Sequence, residues 1–261
     1  MPWLVAVPPT IQPGRRRPST SVSRRGRTLA ALPFRCRCGR RNLIGASSAA
    51  ALLPILSPPS TAAPPIDPEV MLEQVHPSRP DWYEEFYATA MDQGMKSYEA
   101  EIAGYKAKLF SQLSATGKNI LELGVGTGPN FKYYASDNGI IVTGVAEALP
   151  AEDNSMDVVI GTLVLCSVNN IAMALREIYR VLKPGGLYLF VEHVAAPDGS
   201  LLRFVQGAFD PLQQFVADGC HLTRKTGENI RGVGFSSLSL DSVRLSNAYI
   251  ISPHVYGVAC K

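Results

Sequence analysis

Residues 1–66 contain no acidic residue and no lysine; the first acid is Asp67 and the first lysine is Lys96. The same stretch holds ten arginines, from Arg15 to Arg41, which leaves 15 basic against 22 acidic residues, a net −7, in 67–261. The overall pI of 8.6 therefore describes no single folded object, and the charge balance argues against a basic nucleic-acid-binding body. Long apolar runs are also missing. Leu43–Leu56 is interrupted by Pro54, and at 14 residues it falls short of the roughly 20 that a membrane-spanning helix needs. Cysteine is scarce: Cys36, Cys38, Cys166, Cys220 and Cys260. The C-x-C pair alone lacks the about four ligands of a zinc site. The other three stand far apart and read as small buried apolar residues, so neither a metal site nor a disulfide framework is expected.

What residues 1–66 do have is arginine, serine and proline, the composition of an organelle transit peptide. Arg40-Arg41, the short apolar run and the small residues Ser60-Thr61-Ala62-Ala63 add a second, twin-arginine-like signal. A chloroplast address fits this leader best. The twin arginine points onward to the thylakoid lumen, and a mitochondrial address is the alternative. The chain thus divides into a targeting leader (1–66), a linker with N-terminal helices (67–117) and a main domain (118–261). This organisation is compatible with peripheral contact with a membrane.

In the body, Trp82–Ala90 and Met95–Leu113 space their aromatic and aliphatic residues three and four apart, which predicts two amphipathic helices. They read as core packing or as a lid over a cleft in the main domain. Asn119–Leu123 and Ile140–Val145 are short apolar strands, and Asn130–Ser136 is the only helix candidate between them. Val158–Cys166 is a continuous apolar run, as expected of a central parallel strand buried on both faces. A helix over Asn169–Leu182 follows, stopped by Lys183-Pro184-Gly185-Gly186, and then a strand over Leu187–His193. Leu201–Phe215 and Leu222–Gly232 are predicted helices; Phe235–Asn247 and His254–Cys260 are predicted strands. The alternation predicts an α/β fold with a parallel sheet, closed by antiparallel strands at the C-terminal end.

Chemistry concentrates where the first strand breaks, at Glu122-Leu123-Gly124-Val125-Gly126-Thr127-Gly128-Pro129-Asn130. Glycine at alternate positions permits positive φ and close approach of a ligand to the backbone. A dinucleotide fingerprint wants its third glycine three residues after the second. Here Gly128 comes two after Gly126 and Pro129 follows, which argues against a dinucleotide oxidoreductase.

The E-x-G-x-G-x-G pattern resembles motif I of the class I S-adenosylmethionine-dependent methyltransferases. Glu147-Ala148-Leu149-Pro150, Asp157-Val158-Val159 and Arg176-Glu177-Ile178-Tyr179-Arg180-Val181-Leu182-Lys183-Pro184-Gly185-Gly186 resemble further marks of that family in the right order. Thr162–Val168, Glu192–Ala196, Asp218–Arg224 and Pro253–Gly257 look closer still to the methyltransferase-like 7 group, whose animal members methylate alkyl thiols. With the plastid-like leader, the chain resembles a plant relative of that group. The resemblance implies a Rossmann-like class I sheet and S-adenosyl-L-methionine as cofactor. It implies a small, apolar acceptor such as a thiol, and no nucleic-acid partner. It also implies cofactor contacts from Glu122, Gly124, Gly126, Gly128, Ala146, Glu147, Thr162 and Leu163. His193, at the end of a strand where parallel sheets place their ligands, is the candidate substrate-facing group; His221 and Asp218 lie in a loop nearby, and Glu192 reads as a capping or pairing residue.

One feature of the family is missing. A carboxylate at the tip of the second strand should hold the cofactor's ribose, yet Gly144, Val145 and Ala146 stand there. The segment 124–157 is also too short for two crossovers of a dozen or more residues each. These counts predict a truncation between 145 and 146: the ribose acid, one helix and one edge strand are lost, about 35–40 residues by crossover lengths. Glu147 is the one acid near enough to substitute. A catalytically impaired variant with weak cofactor binding is the competing expectation.

Overall fold

The computed structural model describes residues 70–71, 80–113, 119–134, 139–143 and 145–261. The leader and Gly144 lie outside the described residues. Two helices come first, α1 (Asp81–Gly94) and α2 (Lys96–Phe110). Strands β1 (Asn119–Leu123), β2 (Gly139–Thr143) and β3 (Met156–Thr162) follow. Next are α3 (Ile171–Val181), β4 (Leu182–His193), α4 (Leu201–Val216) and α5 (Thr226–Arg231). The chain ends on β5 (Ser237–Arg244) and β6 (Pro253–Cys260).

The six strands form one sheet in the order β2-β1-β3-β4-β6-β5. The first four are mutually parallel. The reversed strand β6 inserts between β4 and β5 and pairs antiparallel with both. The predicted C-terminal strands are therefore present, with the last one innermost.

Alternation within each central strand explains why these segments read as unbroken apolar runs. Leu121, Leu123, Val159, Tyr188 and Phe190 face one cluster, which Ala174, Leu175 and Ile178 of α3 complete. Ile120, Val158, Ile160, Leu187 and Leu189 face the other, which Tyr98, Ile102 and Leu109 of α2 cover. Burying both faces satisfies every second residue on each side, so no polar alternation survives in the sequence. The helix α2 is thus core on one side of the sheet, and Tyr98 and Ile102 are almost wholly buried.

Several local expectations are corrected. The predicted helix over Asn130–Ser136 is a single 3₁₀ turn, Phe131–Tyr133. The chain leaves helical geometry at Tyr134, which is extended (φ −85°, ψ 143°) and sends its hydroxyl back to Glu122. The helix predicted from Leu222 starts only at Thr226, because Asp210 accepts from the backbone N–H groups of Leu222 and Thr223 at 2.6 and 3.2 Å and holds them outside it. Lys183–Gly186 is not a turn before β4 but an irregularity within it. Gly185 adopts φ +83°, the β3–β4 register shifts between Met156 and Val158, and the strand is closed by Gly185 N–H to Lys261 O and Lys261 N–H to Gly186 O, both at 3.0 Å. Cys260 is disulfide-bonded rather than a free buried thiol.

Among the described residues, no helix is long and apolar enough to cross a membrane. The helix α4 nevertheless presents Leu201, Phe204, Leu212 and Phe215 outward.

Candidate active site

The loop leaving β1 takes three glycines into the left-handed region: Gly124 (φ +56°), Gly126 (φ +52°) and Gly128 (φ +78°). Such angles cost an ordinary residue about 1–2 kcal/mol, so the spacing read from the sequence has a backbone cause. A Cβ on Gly124 would stand 2.8 Å from Val164 Cγ2, and one on Gly128 would stand 2.8 Å from the Phe131 ring. At Gly126 a Cβ would meet nothing within 4 Å. The middle of the turn is open space beside exposed backbone, the cradle a ligand can enter.

Behind the turn lies a hydrogen-bonded knot. Asn130 Nδ2 donates to Glu122 Oε1 at 2.8 Å and to Thr162 Oγ1 at 3.0 Å. The Tyr134 hydroxyl donates to Glu122 Oε2 at 2.5 Å. Glu122 and Asn130 are both fully buried. Burial raises the Glu122 carboxyl above its usual range, against the lowering effect of its two donors and of the Lys106 charge. Lys106, itself buried in α2, is neutralised by Glu99 at 2.7 and 3.0 Å. The aromatic rings of Tyr133 and Tyr134 pack on Phe110 at the end of α2, with centroids 4.8 and 5.7 Å apart. The N-terminal helix and the glycine turn are thereby one packed unit. Asn130 and Tyr134 are the residues that sequence reading missed; the signal available was the polar Asn130 directly after an otherwise apolar-and-glycine stretch.

At the end of β3, Thr162 joins this knot and Leu163 adopts φ +58°. A bulky residue in that region is strained, and such strain clusters at ligand sites. Leu163 N–H is held by Val191 O at 2.9 Å. The next two amides, of Val164 and Leu165, donate to Glu192 Oε1, each at 3.2 Å. Glu192 is thus the loop's buried cap, as the sequence reading allowed. Its environment pushes the carboxyl up to about 7, chiefly by burial, with the two amides opposing.

Ala146 and Glu147 are engaged at the start of α3 and beneath it. Ala146 sits in the apolar cluster beneath α3. Glu147 is buried, and its Oε1 accepts from the backbone N–H of Asn170 at 3.1 Å. Asn170 in turn caps α3 by accepting from Met173 N–H. The 145–151 segment is clamped to α3 by Glu177, which accepts from Leu149 N–H at 3.0 Å, and by Arg180, which donates to Leu149 O and Ala151 O. The family marks around 147–150 and 176–180 therefore meet as one structural clamp.

At the C-terminal end of β4, His193 is buried and its Nε2 lies 3.0 Å from Cys220 Sγ. Cys166, in the loop after β3, completes a group of three whose ligating atoms all lie within 4.8 Å of one another. The expectation that Cys166 and Cys220 stand isolated is corrected here. They are 54 positions apart in the chain, but His221 N–H to Cys166 O at 2.9 Å ties their loops together, and Arg224 Nη1 to Leu165 O at 2.7 Å does the same. Cys220 is held well below the ordinary thiol range by the Cys166 thiol and, against burial, by His193. His221 is only partly buried and lies 3.6 Å from Asp210, outside the cluster.

A shallow groove of about 240 Å³ runs beyond His193 between Val194, Lys225, Glu228 and Arg231. It contains none of the predicted cofactor residues.

A parallel sheet with a reversed strand inserted next to its C-terminal edge, and a left-handed glycine turn after β1, define the class I methyltransferase architecture. The sequence comparisons with known proteins agree. A family model described as a methyltransferase domain matches residues 135–190. Human thiol S-methyltransferase TMT1A is 35% identical over 198 residues, spanning 63% of this chain and 81% of the relative. Human thiol S-methyltransferase TMT1B is 36% identical over 190 residues, 60% of this chain and 78% of the relative. Among solved structures, a phosphoethanolamine N-methyltransferase 2 of Haemonchus contortus with S-adenosylhomocysteine aligns at 17% identity and a TM-score of 0.49, over 71% of this chain and 61% of that one. The chain belongs to the thiol S-methyltransferase family of TMT1A and TMT1B, within the S-adenosylmethionine-dependent methyltransferases.

Proposed function

We propose that the protein transfers a methyl group from S-adenosyl-L-methionine to the sulfur of a small apolar thiol. The observation that carries this reading is the Gly124–Gly128 turn, with Gly126 free of neighbours at the end of β1. The cofactor supplies an electrophilic methyl on a sulfonium and carries no phosphate, so it asks for no phosphate clamp. Gly124, Gly126 and Gly128 present backbone groups to its methionine end. Glu122 acts from behind them, because both its oxygens are engaged by Asn130 and Tyr134. Thr162 and Leu163 border the same edge from β3. Displacement at the methyl carbon needs alignment and exclusion of water more than a strong base, and a thiol ionises close to neutral pH. His193 is the polar group assigned to the acceptor side, and the relatives' activity on thiols selects the acceptor class.

The test uses the full chain. S-adenosylmethionine should raise its melting temperature, and an alkyl thiol should gain one methyl group by mass spectrometry. No shift at millimolar cofactor sinks the assignment of the turn.

The truncation belongs to the same reading. Its supports are the six-strand order, which ends on β2, and a described path from Val145 to Ser155 without helix. Sequencing the transcript across the codons for Val145 and Ala146 tests it; a single uninterrupted exon with no longer form counts against it. Residues 1–66 are proposed to direct the protein to the chloroplast. Fused to a fluorescent protein, they should enter plastids, and a cytosolic signal rejects the address.

A further inference from the structure

We propose that Cys166, His193 and Cys220 form a zinc site with one open coordination position, and that this position takes the acceptor as a thiolate. The second half of the proposal rests on the thiol reading above; the first does not.

Three observations carry it. The donor set is two thiolates and an imidazole, the combination that selects zinc and that leaves catalytic zinc one open position. All three residues are buried, and their ligating atoms lie within 4.8 Å of one another. Tetrahedral zinc, with bonds of about 2.3 Å to sulfur and 2.0–2.1 Å to nitrogen, requires its ligand atoms to stand roughly 3.5–3.8 Å apart, so shifts of no more than about an ångström close the site. Finally, the imidazole is already turned for ligation: His193 Nε2 faces Cys220 Sγ at 3.0 Å, on the side where the two sulfurs would share the metal.

The surroundings suit thiolate ligands. Gln213 Nε2 donates to Cys220 Sγ at 3.7 Å. The backbone bond from His221 to Cys166 and the Arg224 guanidinium on Leu165 O fix both cysteine loops before any ligand arrives. The position is also right for transfer. Cys166 lies two residues beyond Val164, the residue that a Cβ on Gly124 would meet. His193 ends β4, beside β3, whose end carries Thr162 and Leu163. The open position and the glycine turn therefore share one edge of the sheet.

The chemistry balances. The acceptor thiol loses its proton to solvent on coordination, because a metal-bound thiol is deprotonated outright. Its sulfur then attacks the methyl carbon. The new sulfur–carbon bond forms as the sulfonium carbon–sulfur bond breaks, leaving S-adenosylhomocysteine and a neutral thioether. The thioether, a weak ligand, leaves the metal.

The experiment measures metal first and methylation second. Full-length protein purified under reducing, chelator-free conditions should hold about one zinc per chain, the content of a single site. Replacement by cobalt(II) should give thiolate-to-metal charge-transfer bands and the visible spectrum of a four-coordinate site. Cys166→Ser and Cys220→Ser should lose both while keeping a cooperative melt. Cys220→His should keep the metal with a weaker charge-transfer band, which a general folding defect would not produce. An alkyl thiol should shift the visible bands. Reduced protein that retains no metal overturns the site, as does a Cys166–Cys220 disulfide in non-reducing peptide maps. Undiminished thiol methylation by metal-free protein overturns the thiolate-binding role. Metal bound stoichiometrically by a protein that methylates no thiol supports the zinc site and sinks the acceptor reading instead.

Discussion

Asn130 and Glu122, eight positions apart, meet inside the protein at 2.8 Å, amide to carboxylate. The same amide nitrogen reaches Thr162 at 3.0 Å, so one side chain fastens the glycine turn to the ends of β1 and β3. Removing it leaves a buried carboxylate oxygen short of a donor, which costs about 1–3 kcal/mol. Asn130→Ala should therefore lower the melting temperature and weaken S-adenosylmethionine together. Asn130→Asp should be worse, because it sets a second carboxylate against Glu122. Calorimetric unfolding and cofactor titration on the two variants check both, and an Asp variant as stable as the wild type contradicts the geometry.

The glycines of the turn should differ in what they lose. Gly126→Ala meets no neighbour and carries only the left-handed backbone cost of about 1–2 kcal/mol. Gly124→Ala adds contact with Val164 at 2.8 Å, so overpacking brings a further cost of about 1–3 kcal/mol. Melting temperatures should rank wild type, Gly126→Ala, Gly124→Ala. Cofactor affinity should fall at least about tenfold in Gly126→Ala, the 1.4 kcal/mol equivalent of one contact. Unchanged affinity there would place the cofactor away from the turn.

Much of the fold was legible because its physics is local. The burial of both faces of β1, β3 and β4 leaves continuous apolar runs, and the α3 stripe and the glycine turn need specific residues at fixed spacing. What could not be read was decided across the chain. Asp210 holding Leu222 shortens α5, and the C-terminal Lys261 holds the Gly185 irregularity; neither leaves a mark near the residue it affects. The site divides the same way. The turn was readable, whereas the meeting of Cys166, His193 and Cys220 depends on which strands are neighbours in the sheet. Glu122 was read as facing a ligand, and only the structure shows Asn130 and Tyr134 taking its oxygens.

Glu147 offers a test of position against role. Its carboxylate accepts from Asn170 N–H at the start of α3, a bond to a charged group worth about 1.5–3 kcal/mol. Glu147→Ala should lower stability by that order and leave cofactor affinity unchanged, if the Oε1 bond to Asn170 N–H is its role. Parallel unfolding and titration curves decide; a tenfold loss of affinity with unaltered stability would restore a ribose contact.

Tyr98 and His254 join α2 to β6. His254 Nδ1 lies 3.2 Å from the carbonyl of Ser252 and so carries the proton; Nε2 therefore accepts from the Tyr98 hydroxyl at 3.1 Å. Burial, the largest effect, depresses the folded-state value of His254 from 6.5 to about 4. Between those two values the unfolded chain binds more protons than the folded one. The stability is complete above about pH 6.5 and is lost as pH falls towards 4, by up to about 3 kcal/mol at 1.36 kcal/mol per unit. His254→Gln keeps an acceptor for Tyr98 but cannot titrate. Urea midpoints from pH 4 to 8 should therefore fall less steeply on the acid side for the variant than for the wild type. Equal acid slopes would mean that His254 is protonated in the folded protein and that the Tyr98 bond runs the other way.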